Sequence, residues 1–255
     1  MTFAWTPKQW HTVEAFATYV STLSKPAWVE GVTLHHTLVP VPTQWRGLAS
    51  MESLGTYYRV TKGWGAGPHL FLCIGAPNPF DDGIFLGTPL ATPGVHAGAC
   101  NSSRWGIEVV GNFDRLGWSP RLKDLVYRVV LELADLGGFE PGDTNGHREC
   151  LANKSCPGAA INMATVRREL HEMSSVKGRY LAVTEPRGAN VRQGPGVSFP
   201  VAAKLPDGYV FFSDKTIEGE VVQGSNQWAH FYGPDRATPN ELGFVWSGIV
   251  KEVAG

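Results

Sequence analysis

The chain has 255 residues, 43% of them hydrophobic and 18% charged, with a formal net charge of −1. It holds no apolar run of the about 18 residues that span a bilayer, and no basic stripe of the kind that grips nucleic acid, so neither membrane insertion nor nucleic-acid binding is expected. Thirty glycines and 18 prolines mark a loop-rich protein, while nine tryptophans and 12 phenylalanines supply ample material for a core.

Thr6-Pro7 carries the N-cap and N1 pattern of a helix start, and Trp10, Val13, Phe16, Ala17, Val20 and Leu23 continue as a helical stripe that Pro26 ends. Trp28 to Leu34 reads as a strand delivering His35 and His36 at its end. Pro40 and Pro42 break the chain before a second helix around Trp45 to Tyr58. Leu70 to Ile74 is a continuous apolar run, the pattern of a buried strand. The turn Asp81-Asp82-Gly83 leads into a short strand at Ile84 to Leu86, and Trp105 to Val110 is another, with Glu108 in its middle. Ser119-Pro120 repeats the cap signal. The clearest helical stripe follows, Leu122, Leu125, Val126, Val129, Val130, Leu133 and Leu136, stopped by Gly137-Gly138. A last helix is expected over Ala159 to Met173. Helices and strands intermixed in this way predict a central mixed sheet flanked by helices, an α/β domain.

From about Lys177 the texture changes. Short strand-like segments alternate with Gly, Pro, Asn and Asp turns: Tyr180 to Thr184, Val201 to Leu205, Tyr209 to Ser213, Glu220 to Gln223, Trp228 to Tyr232 and Phe244 to Trp246. This predicts a small all-β barrel over residues 178–255, joined to an α/β domain over residues 1–177 by a linker at Ser174 to Gly178.

The chemistry concentrates in Gly146-His147-Arg148-Glu149-Cys150-Leu151-Ala152-Asn153-Lys154-Ser155-Cys156-Pro157. Imidazole and thiolate are the donors zinc prefers, and a hydrolytic zinc site needs about three protein ligands with one position left open. His147 and Cys156 can face one ion across this loop, and Lys154 places a fixed positive charge beside it. The third ligand has to come from the sheet, where His35 at a strand end is best placed. A lone strand-end histidine is more often a satisfied surface residue, so His35 gains weight only from the later cluster. Cys150 is able in principle to pair with Cys156, and that disulfide would destroy the site. A cell-interior chain of this size uses cysteine more for packing, metal or chemistry than for disulfides. Cys73, in an apolar strand, reads as a small core residue.

Five motifs occur in order: Leu34-His35-His36-Thr37, Gly94-Val95-His96-Ala97, Trp105-Gly106-Ile107-Glu108-Val109-Val110-Gly111, Gly146-His147-Arg148 and Lys154-Ser155-Cys156-Pro157-Gly158. Together, over roughly residues 30 to 170, they resemble the zinc-dependent N-acetylmuramoyl-L-alanine amidases, the family of phage lysozyme-type amidases and animal peptidoglycan recognition proteins. The resemblance implies Zn2+ held by His35, His147 and Cys156, with His36 in a structural role. It also implies hydrolysis of the amide between the lactyl group of N-acetylmuramic acid and L-alanine. Part of the family uses a tyrosine for proton transfer; alignment of Gly67-Pro68-His69-Leu70-Phe71 puts Pro68 there. The recycling-type amidases use a glutamate in a Gly-Ile-Glu strand, which Glu108 matches. A carboxylate in an apolar strand is costly unless paired or used. Lys154 matches the family lysine that steadies the oxyanion. His69, His96 and Asn101 flank the family's groove and are candidates for substrate contact, with core or surface roles as the competing reading.

Ala189-Asn190-Val191-Arg192-Gln193-Gly194-Pro195-Gly196, with Gly224 to Trp228 and Gly243-Phe244-Val245, resembles bacterial SH3-like domains, which commonly tether wall hydrolases to peptidoglycan. Met1 to Lys8 lacks the basic-then-apolar pattern of a secretory signal. The combined expectation is a monomeric phage endolysin that waits in the host bacterial cytoplasm before acting on the wall. The alternative is a non-catalytic peptidoglycan-recognition protein; such proteins typically lose the cysteine ligand, whereas Cys156 is present. A zinc deaminase would need His-x-Glu and Pro-Cys-x-x-Cys, and neither spacing occurs.

Overall fold

The computed structural model describes residues 2–175, 178–233 and 243–253. The chain divides into two units, Met1–His171 and Glu172–Gly255. The boundary expected from the sequence lies between residues 177 and 178, and residues 176 and 177 lie outside the described set. Among the described residues no helix is long and apolar enough to cross a membrane.

The first unit runs β1 (Lys8–Trp10), α1 (Val13–Val20), β2 (Gly31–His36), α2 (Leu48–Thr56), β3 (Leu70–Cys73), β4 (Gly83–Leu86), β5 (Arg104–Val109), α3 (Pro120–Gly137), β6 (Asn145–Gly146) and α4 (His147–Cys150), with α5 (Met163–Ser175) following. Its sheet has the order β1-β4-β3-β5-β2-β6. The pairs β3–β5, β5–β2 and β2–β6 are parallel, and the β1–β4–β3 edge is antiparallel, so the sheet is mixed. Every residue of β2 is buried, as befits a parallel strand covered on both faces. In register across the sheet, Phe71 lies beside Glu108 and Glu108 beside His35. Because side chains alternate along a strand, these three share one face. There Phe71, Cys73, Phe85 and Val110 pack against Trp45, Met51 and Tyr58 from the α2 region. The opposite face, including Leu34, Ile107 and Leu72, is fully buried; α3 packs on β2 and β3, with α1 against α3.

The long α3 follows its sequence signals. Ser119 accepts a hydrogen bond from the Leu122 N–H, and Gly138 closes the helix in the left-handed conformation at φ 59°. The N-terminal helix does not. Thr6-Pro7 starts no helix; Lys8 to Trp10 pairs antiparallel with β4 instead, and α1 is capped by Thr12, whose hydroxyl accepts from the Ala15 N–H. Trp10 stacks on Tyr19 at 4.7 Å and edge-on to Phe16 at 5.3 Å, packing against the helix rather than belonging to it.

The second unit contains β7 (Arg179–Val183), β8 (Ala189–Arg192), β9 (Val201–Leu205), β10 (Val210–Ser213), β11 (Thr216–Val222), β12 (Ser225–Phe231), β13 (Gly243–Trp246) and β14 (Val250–Val253). They form two antiparallel sheets, β10-β7-β14 and β11-β12-β13-β8-β9. Leu181, Val191, Phe211, Phe231 and Val245 make one core between them. The strands β8 and β14 add to those legible in the sequence.

Candidate metal centre

The site gathers at the carboxyl ends of the parallel strands, the usual place for sites in open α/β sheets. His35 is the penultimate residue of β2, Glu108 sits opposite it on β5, and His147 follows β6 directly. Cys156 arrives on the loop after α4. One ligand atom from each of His35, His147 and Cys156 lies within 4.8 Å of the other two.

The distances suit a tetrahedral ion. Zinc–nitrogen and zinc–sulfur bonds near 2.0 and 2.3 Å put nitrogen and sulfur about 3.5 Å apart across a tetrahedral angle. The observed separation of His35 Nδ1 from Cys156 Sγ is 3.7 Å. The rings of His35 and His147 are 4.5 Å apart. The donor set therefore fits zinc, with three protein ligands.

The electrostatics point the same way. Burial holds the His35 imidazole well below its ordinary pKa, with His96, His147 and His36 adding to the effect, so the ring is neutral and able to donate a lone pair. Burial, then Lys154 and His36, lowers His147 as well. The Cys156 thiol is pushed up to about 12, chiefly by burial and secondly by the Glu108 charge. The His36 backbone N–H donates to Cys156 Sγ at 3.3 Å, a contact ready to support a thiolate once a cation binds.

Glu108 Oε1 lies 3.8 Å from His35 Nδ1, with 13% of its side chain exposed. Burial raises its pKa to about 8, the range expected of a group that exchanges protons near neutrality. Lys154 is exposed on the Cys156 loop and near enough to His147 to depress it. His36 accepts from the Phe113 N–H through Nδ1 at 3.3 Å, tying β2 to the segment after β5.

The remaining candidates have other duties. His69 is fully buried, and both ring nitrogens are spent on backbone: Nδ1 accepts from the Gly106 N–H at 2.9 Å and Nε2 donates to the Thr92 carbonyl at 3.0 Å. It has no polar atom left for a substrate, and burial lowers its pKa to about 3. His96 is also buried, its Nε2 bonded to the Arg104 carbonyl at 3.0 Å and its Nδ1 to His35 Nε2 at 3.1 Å. Gly106 makes room for it, since a Cβ there would meet the His96 ring at 2.4 Å. Asn101 Oδ1 accepts from the backbone N–H groups of His96 and Ala97 at 2.9 and 2.7 Å. Cys73 is a free, buried core residue, as its strand implies. The pairing of Cys150 differs from the one weighed above. Its disulfide partner is Cys100, with an S–S distance of 2.12 Å, and Cys156 stays free. The site and a disulfide thus coexist, because the Cys150 side chain points to the turn at Cys100 rather than along its own loop.

One residue has a role the sequence did not signal. The Arg148 guanidinium reaches over the Cys156 loop and donates to the carbonyls of Ser155 at 3.0 Å, Gly158 at 2.8 Å and Ile161. Its own backbone N–H donates to the Cys156 carbonyl at 2.9 Å.

A family model described as N-acetylmuramoyl-L-alanine amidase matches residues 24–159. No curated protein matches the chain by sequence. Among solved structures, the endolysin amidase LysCS from Clostridium intestinale is similar at 19% identity and a TM-score of 0.42, covering 56% of this chain and 84% of that one. A point mutant of the Drosophila peptidoglycan recognition protein PGRP-LB, in complex with tracheal cytotoxin, is similar at 22% identity and a TM-score of 0.45, covering 60% and 83%. Bumblebee PGRP-SA is similar at 18% identity and a TM-score of 0.45, covering 54% and 80%. At such low identity and TM-score these likenesses say nothing about the chemistry of this chain.

Proposed function

Because the chain belongs to the N-acetylmuramoyl-L-alanine amidase family, we propose that its first unit hydrolyses peptidoglycan at the amide joining the lactyl group of N-acetylmuramic acid to L-alanine. The observation that carries this reading is the meeting of His35, His147 and Cys156 beside a buried carboxylate. These three residues would hold zinc. When bound, zinc supplies Lewis acidity, polarising a carbonyl and acidifying water.

The chain's own groups supply the proton transfers. Glu108 takes a proton from the attacking water and returns it to the leaving nitrogen of L-alanine, so the C–N bond breaks to a carboxylate and an amine. Its carboxylate lies 3.8 Å from His35 Nδ1, within reach of a water at the proposed ion. Lys154 faces the charge that grows on the carbonyl oxygen, as a fixed cation at the edge of the cleft. The imidazoles of His35 and His147, neutral by burial, remain ligands and take no proton.

The second unit is proposed as an SH3-like wall-binding domain. Holding the first unit on an insoluble polymer raises its effective substrate concentration without new catalytic contacts. The whole chain then reads as a phage endolysin, held in the host cytoplasm until the membrane is breached.

Cys156→Ser tests the metal reading. The variant is expected to lose zinc and wall cleavage together, and a variant keeping full zinc content and full cleavage would refute it. A wild-type protein that binds walls tightly yet releases no product would be a recognition protein instead.

A further inference from the structure

Two of the three proposed ligands are braced by the same short turn. It runs from His96 through a 3-10 segment at Gly98–Ser102, and Asn101 Oδ1 folds it by accepting from the N–H groups of His96 and Ala97. One end of the turn meets His35 through a hydrogen bond. The other meets the helix of His147 through the Cys100–Cys150 disulfide, Cys150 being the last residue of the helix that His147 begins.

The hydrogen bonds fix which nitrogen of His35 is free. The Arg104 carbonyl can only accept, so His96 Nε2 must carry the proton that bonds it. His96 Nδ1 is then a lone pair, and the 3.1 Å contact requires His35 Nε2 to be the donor. His35 Nδ1 is left as the lone pair, and it is this atom that faces Cys156 Sγ at 3.7 Å. The opposite tautomer would turn an N–H toward the ion. The disulfide answers a different weakness. The helix carrying His147 is a single turn, Gly146 supplies no side-chain cap, and so short a helix is not stable alone. Glu149 ties its start, accepting from the Gly146 N–H at 2.7 Å, and the disulfide ties its end.

We propose that the His96–Ser102 turn is the positioning element of the metal centre, with His96 setting the donor atom of His35 and the Cys100–Cys150 disulfide setting the place of His147. The inference rests on the reading of His35, His147 and Cys156 as zinc ligands. It makes metal affinity sensitive to reduction of a disulfide that touches no ligand atom.

The test is the zinc dissociation constant of the full chain, from chelator competition, with cobalt absorption as a second readout of ligand geometry. His96→Ala is expected to weaken zinc binding about 10- to 100-fold, the usual cost of losing a partner behind a ligand histidine. His96→Asn, whose Oδ1 replaces Nδ1 as acceptor, is expected to recover most of it and to restore the cobalt spectrum. Treating the folded wild type with a phosphine gives the disulfide two electrons and two protons while the phosphine takes oxygen from water. That reduction is expected to weaken zinc binding about tenfold and to leave a Cys100→Ser, Cys150→Ser protein unaffected. Should that double variant not fold, the wild-type measurement before and after reduction decides alone. Unchanged zinc affinity in either the His96→Ala protein or the reduced wild type, with only the melting temperature lowered, would overturn the proposal. A wild-type protein that binds no zinc would instead overturn the reading of the ligands themselves.

Discussion

Removing the Arg148 side chain should loosen the metal site without touching a ligand. The guanidinium holds three carbonyls of the segment that carries Cys156. A hydrogen bond from a charged donor contributes roughly 1.5–3 kcal/mol when buried, and about 1 kcal/mol each is reasonable here because the contacts are half-exposed and water can replace them. Three such bonds amount to about 3 kcal/mol, which at 1.4 kcal/mol per decade is a factor of about 100 in the closed–open balance of the loop. With the loop open, a zinc ion held as proposed would keep only its two histidines. Arg148→Ala is therefore expected to raise the zinc dissociation constant by about 10- to 100-fold in chelator competition. Arg148→Lys should recover only a minor part, since a point charge cannot span three carbonyls as a planar fork does. A zinc affinity for Arg148→Ala within about twofold of wild type would refute the reasoning, because the loop would then hold its shape without the clamp.

Other consequences can be measured separately. Glu108→Gln keeps the shape of the side chain and removes its basicity, so turnover should fall by roughly 10²- to 10⁴-fold while bound zinc stays at the wild-type level; undiminished turnover would remove Glu108 from the proton path. Glu169 joins α5 to α3, accepting from Tyr127 Oη at 2.6 Å and Lys123 Nζ at 2.9 Å. Burial alone would raise its pKa, but these hydrogen bonds outweigh burial and leave it below the ordinary 4.5. A depressed folded pKa means stability that is present above the unfolded value and lost as pH falls through the folded one. Glu169→Gln should therefore cost about 1 kcal/mol at pH 7 in denaturant titration, a figure discounted for partial exposure, and the gap should close at acid pH; a gap that widens at low pH would contradict the sign. Phe211, fully buried in the second unit, should cost about 3–5 kcal/mol of that unit's stability when replaced by alanine. If this unit is the tether, cleavage of whole walls should drop and cleavage of soluble muramyl peptides should not; equal losses on both substrates would argue against a tether.

What was legible in the sequence was what local physics determines. The α3 stripe, its Ser119 cap and its glycine stop sit within one continuous segment, and the apolar run of β3 announces a strand buried on both faces. His147 and Cys156 could be nominated from their residue types in one short loop, whereas the roles of His35 and Glu108 came with the resemblance to the amidase family. What was not legible depends on partners far along the chain. Lys8 to Trp10 becomes a strand only because β4 offers an edge, which no cap signal at Thr6-Pro7 can reveal. The last helix begins at Met163 rather than Ala159: Ala159 and Ala160 give their N–H groups to Asp114 Oδ1 and the Phe113 carbonyl, and Asn162 accepts from the Thr165 N–H at the helix start. The Cys100–Cys150 bond spans 50 positions, and connectivity among four cysteines does not follow from spacing. For His96 the sequence leaves substrate contact and a core role equally open, because its partners, the His35 ring and the Arg104 carbonyl, are brought to it only by the fold.

The most direct test of the central claim is the chemistry of the ends released from purified bacterial walls by the full chain, before and after chelation. The account predicts new alanine amino termini with no new reducing sugar ends, abolished by chelator and restored by zinc. New reducing ends, or alanine amino termini that still form with the metal-free protein, would contradict it.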